Sequence, residues 1–145
     1  MRSIRSTLSE QNAGRGRAPT APALRARKEP FIDLPKKGQR WVLHNDALPQ
    51  PAGPGVVRRV LAYTDELMCV ENTFETGAVG PLHSHPHTQI TYVAEGVFSF
   101  TIGSETRTVR RGDALLKTDG VEHGCTCLEA GVLLDVFSPM RQDFI

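Results

Sequence analysis

The segment His83-Ser84-His85-Pro86-His87-Thr88-Gln89 gathers three of the chain's five histidines and an amide into seven residues. A strand has a side-chain period of two, so His83, His85 and Gln89 share parity and can converge inside a barrel. A further ligand must then come from another strand. Thirty-eight residues after His85 stands His123, in Thr118-Asp119-Gly120-Val121-Glu122-His123-Gly124, where it opens an apolar strand-like run. Three neutral imidazoles and one amide oxygen would hold a divalent first-row metal and leave positions open for water or substrate. Ni, Mn, Fe, Co and Zn all suit such donors. His87 shares this parity but follows Pro86, which places it at the rim or in a supporting position. His44 lies in a polar segment ahead of the barrel and is expected to have no catalytic part.

The spacing around these residues resembles the two motifs of the cupin superfamily. Gly77, five residues, His83, one, His85, three, Gln89, six, Gly96 is similar to the first motif, with glutamine where that motif usually has glutamate. Gly112, seven residues, Gly120, two, His123 is similar to the second, with Thr118 in the usual proline position and Cys127 in the usual asparagine position. A neutral fourth ligand leaves more positive charge on the site and disfavours Fe(III), so Lewis-acid chemistry is expected over oxygen chemistry.

A second polar cluster lies in the C-terminal run Leu133-Leu134-Asp135-Val136-Phe137-Ser138-Pro139-Met140-Arg141. Asp135 and Phe137 share a face of the last strand. If that face looks inward, a carboxylate sits beside an aromatic wall near the metal, and Arg141 can fold over the mouth and grip a carboxylate in bidentate fashion. From the residues alone, Asp135 serves equally as a turn cap, Phe137 as plain core and Arg141 as a solvated chain-end charge.

The elements that must position these groups read as all-β. Turn signals recur at short intervals from Trp41 onward, and no segment has a helical period. Val56 to Tyr63, Glu66 to Glu75, Gln89 to Ala94, Val97 to Ile102, Thr106 to Val109, Ala114 to Lys117, His123 to Leu128 and Val132 to Phe137 read as strands. Glu95-Gly96 reads as a hairpin, while Asp119-Gly120 and Ala130-Gly131 separate later strands. Short antiparallel strands in this number favour a double-sheet jelly roll. With 145 residues the chain can bury one core. No apolar run approaches the roughly 20 residues of a membrane helix, so a soluble protein is expected. Three cysteines without a CxxC pair fit no disulfide framework and suit a reducing cytoplasm; Cys125 and Cys127 share parity with His123 and read as small buried fillers.

The net charge of +1 is unevenly spread. Residues 1 to 40 carry ten Lys/Arg against three Asp/Glu, whereas residues 41 to 145 carry seven against thirteen. The first part lacks apolar periodicity and is read as a largely disordered basic tail with a lead-in segment, order beginning near Phe31. Residues 41 to 145 form the barrel domain. Neither a nucleic-acid partner nor a membrane is expected.

From about residue 56 to the end, the chain resembles the KdgF family, small stand-alone cupins called pectin degradation proteins. The resemblance is carried by Leu67-Met68 to Glu75, Gly80 to His87, Val121 to Gly124, and Cys127 to Pro139 with Arg141, Asp143 and Phe144. It implies a single-domain cupin, a double-stranded β-helix barrel that opens 4,5-unsaturated monouronates from pectin or alginate to linear 5-keto forms. The family's ligands fall on His83, His85, Gln89 and His123, and its active-site residues on Asp135, Phe137 and Arg141. In that role Asp135 is the acid/base, Arg141 holds the substrate carboxylate and Phe137 packs on the ring. Lys117-Thr118-Asp119 departs from the family's apolar residue and proline, which bears on loop shape and substrate choice. A homodimer paired through residues 31 to 60 is expected by analogy with other cupins. The rival readings are a metal-dependent dioxygenase or lyase on another small substrate, and a sugar-binding cupin without turnover.

Overall fold

The computed structural model describes residues 32–145; the basic tail expected ahead of Phe31 lies outside the described residues. The architecture is an antiparallel cupin barrel. Its strands are β1 (Gln50–Pro51), β2 (Val56–Tyr63), β3 (Met68–Phe74), β4 (Val79–His83), β5 (Thr88–Ile102), β6 (Glu105–Arg110), β7 (Ala114–Lys117) and β8 (His123–Ser138). They pair in the order β1-β2-β3-β8-β5-β6, with β4 added to β8 and β7 added to β5. Among the described residues the only helices are two three-residue 3-10 turns, and no helix is long and apolar enough to cross a membrane.

Two long strands, β5 and β8, replace four of the expected short ones. Glu95-Gly96 is not a hairpin: β5 runs through it, and its pairing with β8 shifts register between Val93 and Phe98. The shift reverses the inward parity, from Gln89, Thr91 and Val93 before the irregularity to Phe98 and Phe100 after it. A bulge produces this by adding one unpaired residue to one strand. Ala130-Gly131 likewise interrupts nothing, because β8 passes straight through. The two strands cross so closely that a Cβ on Gly96 would lie 2.6 Å from the Glu129 carbonyl oxygen and from Gly131 Cα. Gly96 also has φ +85°, a conformation only glycine adopts without strain.

Alternation along the strands packs two apolar clusters. One contains Val56, Phe74, Val93, Phe98, Phe100 and Leu133; the other contains Val60, Tyr63, Met68, Val70, Phe137 and Phe144. A cavity of about 350 Å³ touches both and is lined between them by polar side chains. Burial of this apolar surface stabilises the barrel by roughly 25 cal/mol per Å² removed from water. That gain must also offset the desolvation of the polar lining.

Candidate metal centre

His83, His85 and Gln89 do not share one strand. β4 ends at His83, Ser84 to His87 form a turn around Pro86, and Gln89 is the second residue of β5. Proline lacks the N–H that a continuous ladder needs, so the expected parity argument gives way to a turn. Convergence still occurs, because β4 and β5 both pair with β8. His83 stands directly across from His123 in the ladder. Gly124 permits that approach: a Cβ there would lie 2.8 Å from the Gly80 carbonyl oxygen.

The ligand nitrogens of His83, His85 and His123 lie within 4.8 Å of one another, a spacing one metal ion could bridge. His83 Nδ1 donates to the Pro81 carbonyl at 2.8 Å, and His123 Nδ1 to the Val121 carbonyl at 2.9 Å. Because a carbonyl only accepts, Nδ1 holds the proton of each neutral ring and Nε2 its lone pair, the usual arrangement of a ligating imidazole braced from behind. His123 Nε2 is buried without a hydrogen-bond partner, as is His85 Nδ1. The Val121 carbonyl is itself fixed by the turn Thr118–Val121, where Asp119 (φ 57°) and Gly120 (φ 67°) have the positive angles of a tight Asp-Gly turn. Burial pushes the His123 imidazole down to about 4, and burial also lowers His85, so both are neutral near pH 7. Orphaned, neutral, buried nitrogens are donors that fit a divalent cation.

Gln89, 6 % exposed, joins this cluster to a second one. Its Oε1 accepts from His85 Nε2 at 2.8 Å, while its Nε2 donates to Asp135 Oδ1 at the same distance. Asp135 also accepts from Thr91 Oγ1 on Oδ1, and from Asn72 Nδ2 on Oδ2 at 2.7 Å. Lys117 Nζ donates to Thr91 Oγ1 and lies 4.7 Å above the Phe100 ring. Of Lys117-Thr118-Asp119, expected to bear on loop shape, Lys117 is instead the buried last residue of β7, 1 % exposed, where burial lowers its pKa.

Phe137, buried, lines the cavity with its ring 5.7 Å from that of His85. The His87 ring lies 6.4 Å from that of Phe137 and 5.4 Å from that of His85. Arg141 lines the cavity but is engaged in a bidentate pair with Asp143, at 2.9 and 2.8 Å. A second guanidinium, Arg58, also lines it. Arg58 stacks 3.7 Å from the Phe144 ring centroid, Arg141 4.4 Å, and Arg58 Nε is buried without a partner. Burial, then the charge of Arg141, lowers the Arg58 pKa. His44 pairs with Glu71 outside the cavity. Cys127 is a buried core residue, and Cys125 lines the cavity with its thiol pushed up to about 11 by burial.

Arg58, Asn72, Thr91 and Lys117 were not singled out from sequence as site residues. Each sits at an inward strand position beside at least one inward apolar residue: Val56-x-Arg58-x-Val60, Val70-x-Asn72-x-Phe74, Gln89-x-Thr91-x-Val93 and Leu115-x-Lys117. A polar side chain on the inward parity is the signal that would have found them.

Comparison with known proteins places this geometry. The family described as Cupin domain matches residues 70–137. The pectin degradation protein KdgF of Dickeya dadantii (strain 3937) is 38% identical over 109 residues, which cover 74% of this chain and 99% of that protein. This chain belongs to the KdgF family of cupins. The structure of KdgF from Halomonas sp. superposes with a TM-score of 0.70 at 36% identity, covering 72% of this chain and 99% of that one. An RmlC-like cupin from Shewanella frigidimarina NCIMB 400 gives 0.73 at 33% identity, covering 75% and 98%. The Cupin domain match spans His83, His85, Gln89, His123 and Asp135.

Proposed function

We propose that this chain opens 4,5-unsaturated monouronates, released from pectin or alginate, to linear 5-keto acids. The observation that carries the reading is Gln89, whose amide links the imidazole cluster to a buried carboxylate. In the closed sugar, C1 is a hemiacetal carbon and C5 an enol-ether carbon. Opening takes the proton from the C1 hydroxyl, forms the C1 aldehyde and breaks the bond from C1 to the ring oxygen. That oxygen leaves as an enolate on C5, which takes a proton at C4 to give the ketone; the reaction is an isomerisation.

His83, His85, His123 and Gln89 would hold the divalent metal, which when bound supplies Lewis-acid charge for the oxygen that becomes negative. The other steps fall to the chain's own side chains. Asp135 accepts from Gln89, Thr91 and Asn72, which suits a carboxylate acting as the proton acceptor for the C1 hydroxyl. Arg58 and Arg141, stacked against Phe144, are the anion-binding groups for the C6 carboxylate. Phe137 packs on the ring face.

The test uses metal-analysed protein and freshly lyase-generated unsaturated monouronate. Loss of the ultraviolet absorbance of the 4,5 double bond is followed against the spontaneous rate. Acceleration that chelation abolishes and divalent metal restores is the expected result. A metal-loaded sample that does not accelerate the loss overturns the reading in favour of an oxygen-using or non-catalytic cupin.

A further inference from the structure

Lys117 places a charge at an inward position of its own strand. Along β7, Leu116 faces outward at 59 % exposure, whereas Lys117 points inward and is 1 % exposed. Burying an ammonium costs several kcal/mol unless specific groups compensate it. Three surroundings do so here: the Thr91 hydroxyl, the Phe100 ring face and the charge of Asp135. Packing alone would favour an apolar residue at this position.

The hydrogen-bond directions are forced. Lysine has donors and no acceptor, so Thr91 Oγ1 must accept from Nζ. Gln89 Nε2 also reaches Thr91 Oγ1, at 3.3 Å, as a second donor. The single hydroxyl proton of Thr91 then has one destination, Asp135 Oδ1. Without Lys117 that hydroxyl is free to rotate, and Asp135 loses both a fixed donor and the charge of a buried cation.

Resting on the ring-opening reading, we propose that Lys117 is a positioning residue for the reaction: through Thr91 it holds Asp135 as an oriented proton acceptor. Lys117, Thr91 and Asp135 act as one unit, and Lys117 itself does not touch the reacting atoms.

A double-mutant cycle on kcat and KM tests this, with metal content and thermal unfolding measured for each variant. Lys117→Met keeps the length of the side chain and suits the apolar surroundings, so it is expected to fold and bind metal as the parent does. Its kcat falls roughly 10- to 100-fold with KM little changed. Thr91→Val falls comparably, Thr91→Ser restores most of that loss, and the Lys117→Met/Thr91→Val double variant is no slower than the worse single one. A Lys117→Met protein with parental kcat overturns the proposal, as does a double variant in which the two losses multiply. An inactive parent protein instead overturns the ring-opening reading beneath it, so the two failures are distinguishable.

Discussion

Gln89 and Asp135 are bound through a single 2.8 Å hydrogen bond, amide nitrogen to carboxylate oxygen, and that bond turns the amide oxygen toward the histidines. Position 89 therefore sets the orientation of two groups at once. Gln89→Glu places a second carboxylate against Asp135 and removes a donor from it. The variant is expected to retain metal while its ring-opening rate falls on the order of 100-fold. Metal analysis and kcat on the same sample check this; undiminished turnover would remove the amide from the account.

Two arginines share one aromatic ring. Arg141 is already paired with Asp143, whereas Arg58 lines the cavity and keeps a buried, unpartnered Nε. Arg58→Met preserves the stacking on Phe144 and removes the charge. A charge-assisted hydrogen bond contributes about 1.5–3 kcal/mol, so KM for the uronate is expected to rise by roughly tenfold or more, with a smaller change in kcat. Steady-state kinetics with the carboxylate substrate decide it.

The metal-free protein is expected to lose stability in mild acid. His123 is held down to about 4 in the folded state, below the ordinary 6.5 of an exposed imidazole. Between those values the unfolded chain binds a proton that the folded chain excludes, so this contribution is complete above pH 6.5 and is lost as pH falls toward 4. Urea unfolding across that range, compared with His123→Asn, reads the effect. The variant's curve is expected to be flatter.

The crossing of β5 and β8 leaves no room at Gly96. Gly96→Ala meets the Glu129 carbonyl and Gly131 backbone and also strains a positive φ. A loss on the order of 3 kcal/mol is expected, measured as a drop in the urea midpoint with unchanged slope.

Much of this site was readable in the chain because its spacing is set by local geometry. The glycine-bounded blocks located all three clustered histidines, and shared parity put Asp135 and Phe137 on one face of the last strand, though only the structure shows that this face is the buried one. What could not be read was register. Glu95-Gly96 resembled a hairpin because a bulge reverses parity in mid-strand, a change identical in sequence to a strand ending and another beginning. Pro86 hid the break between β4 and β5. Lys117 escaped because its partners, Thr91 and Asp135, are 26 and 18 residues away, and only the paired strands bring them together.

The most direct test compares His123→Ala with Asp135→Asn in metal content and in ring-opening rate, below the unfolding temperature of each. His123→Ala removes a donor from the cluster, whereas Asp135→Asn replaces a carboxylate oxygen with an amide nitrogen among donors. The first is expected to lose metal and turnover together; the second is expected to keep metal and lose turnover. An Asp135→Asn protein that opens the ring at the parental rate, or a His123→Ala protein that does so without metal, contradicts the account.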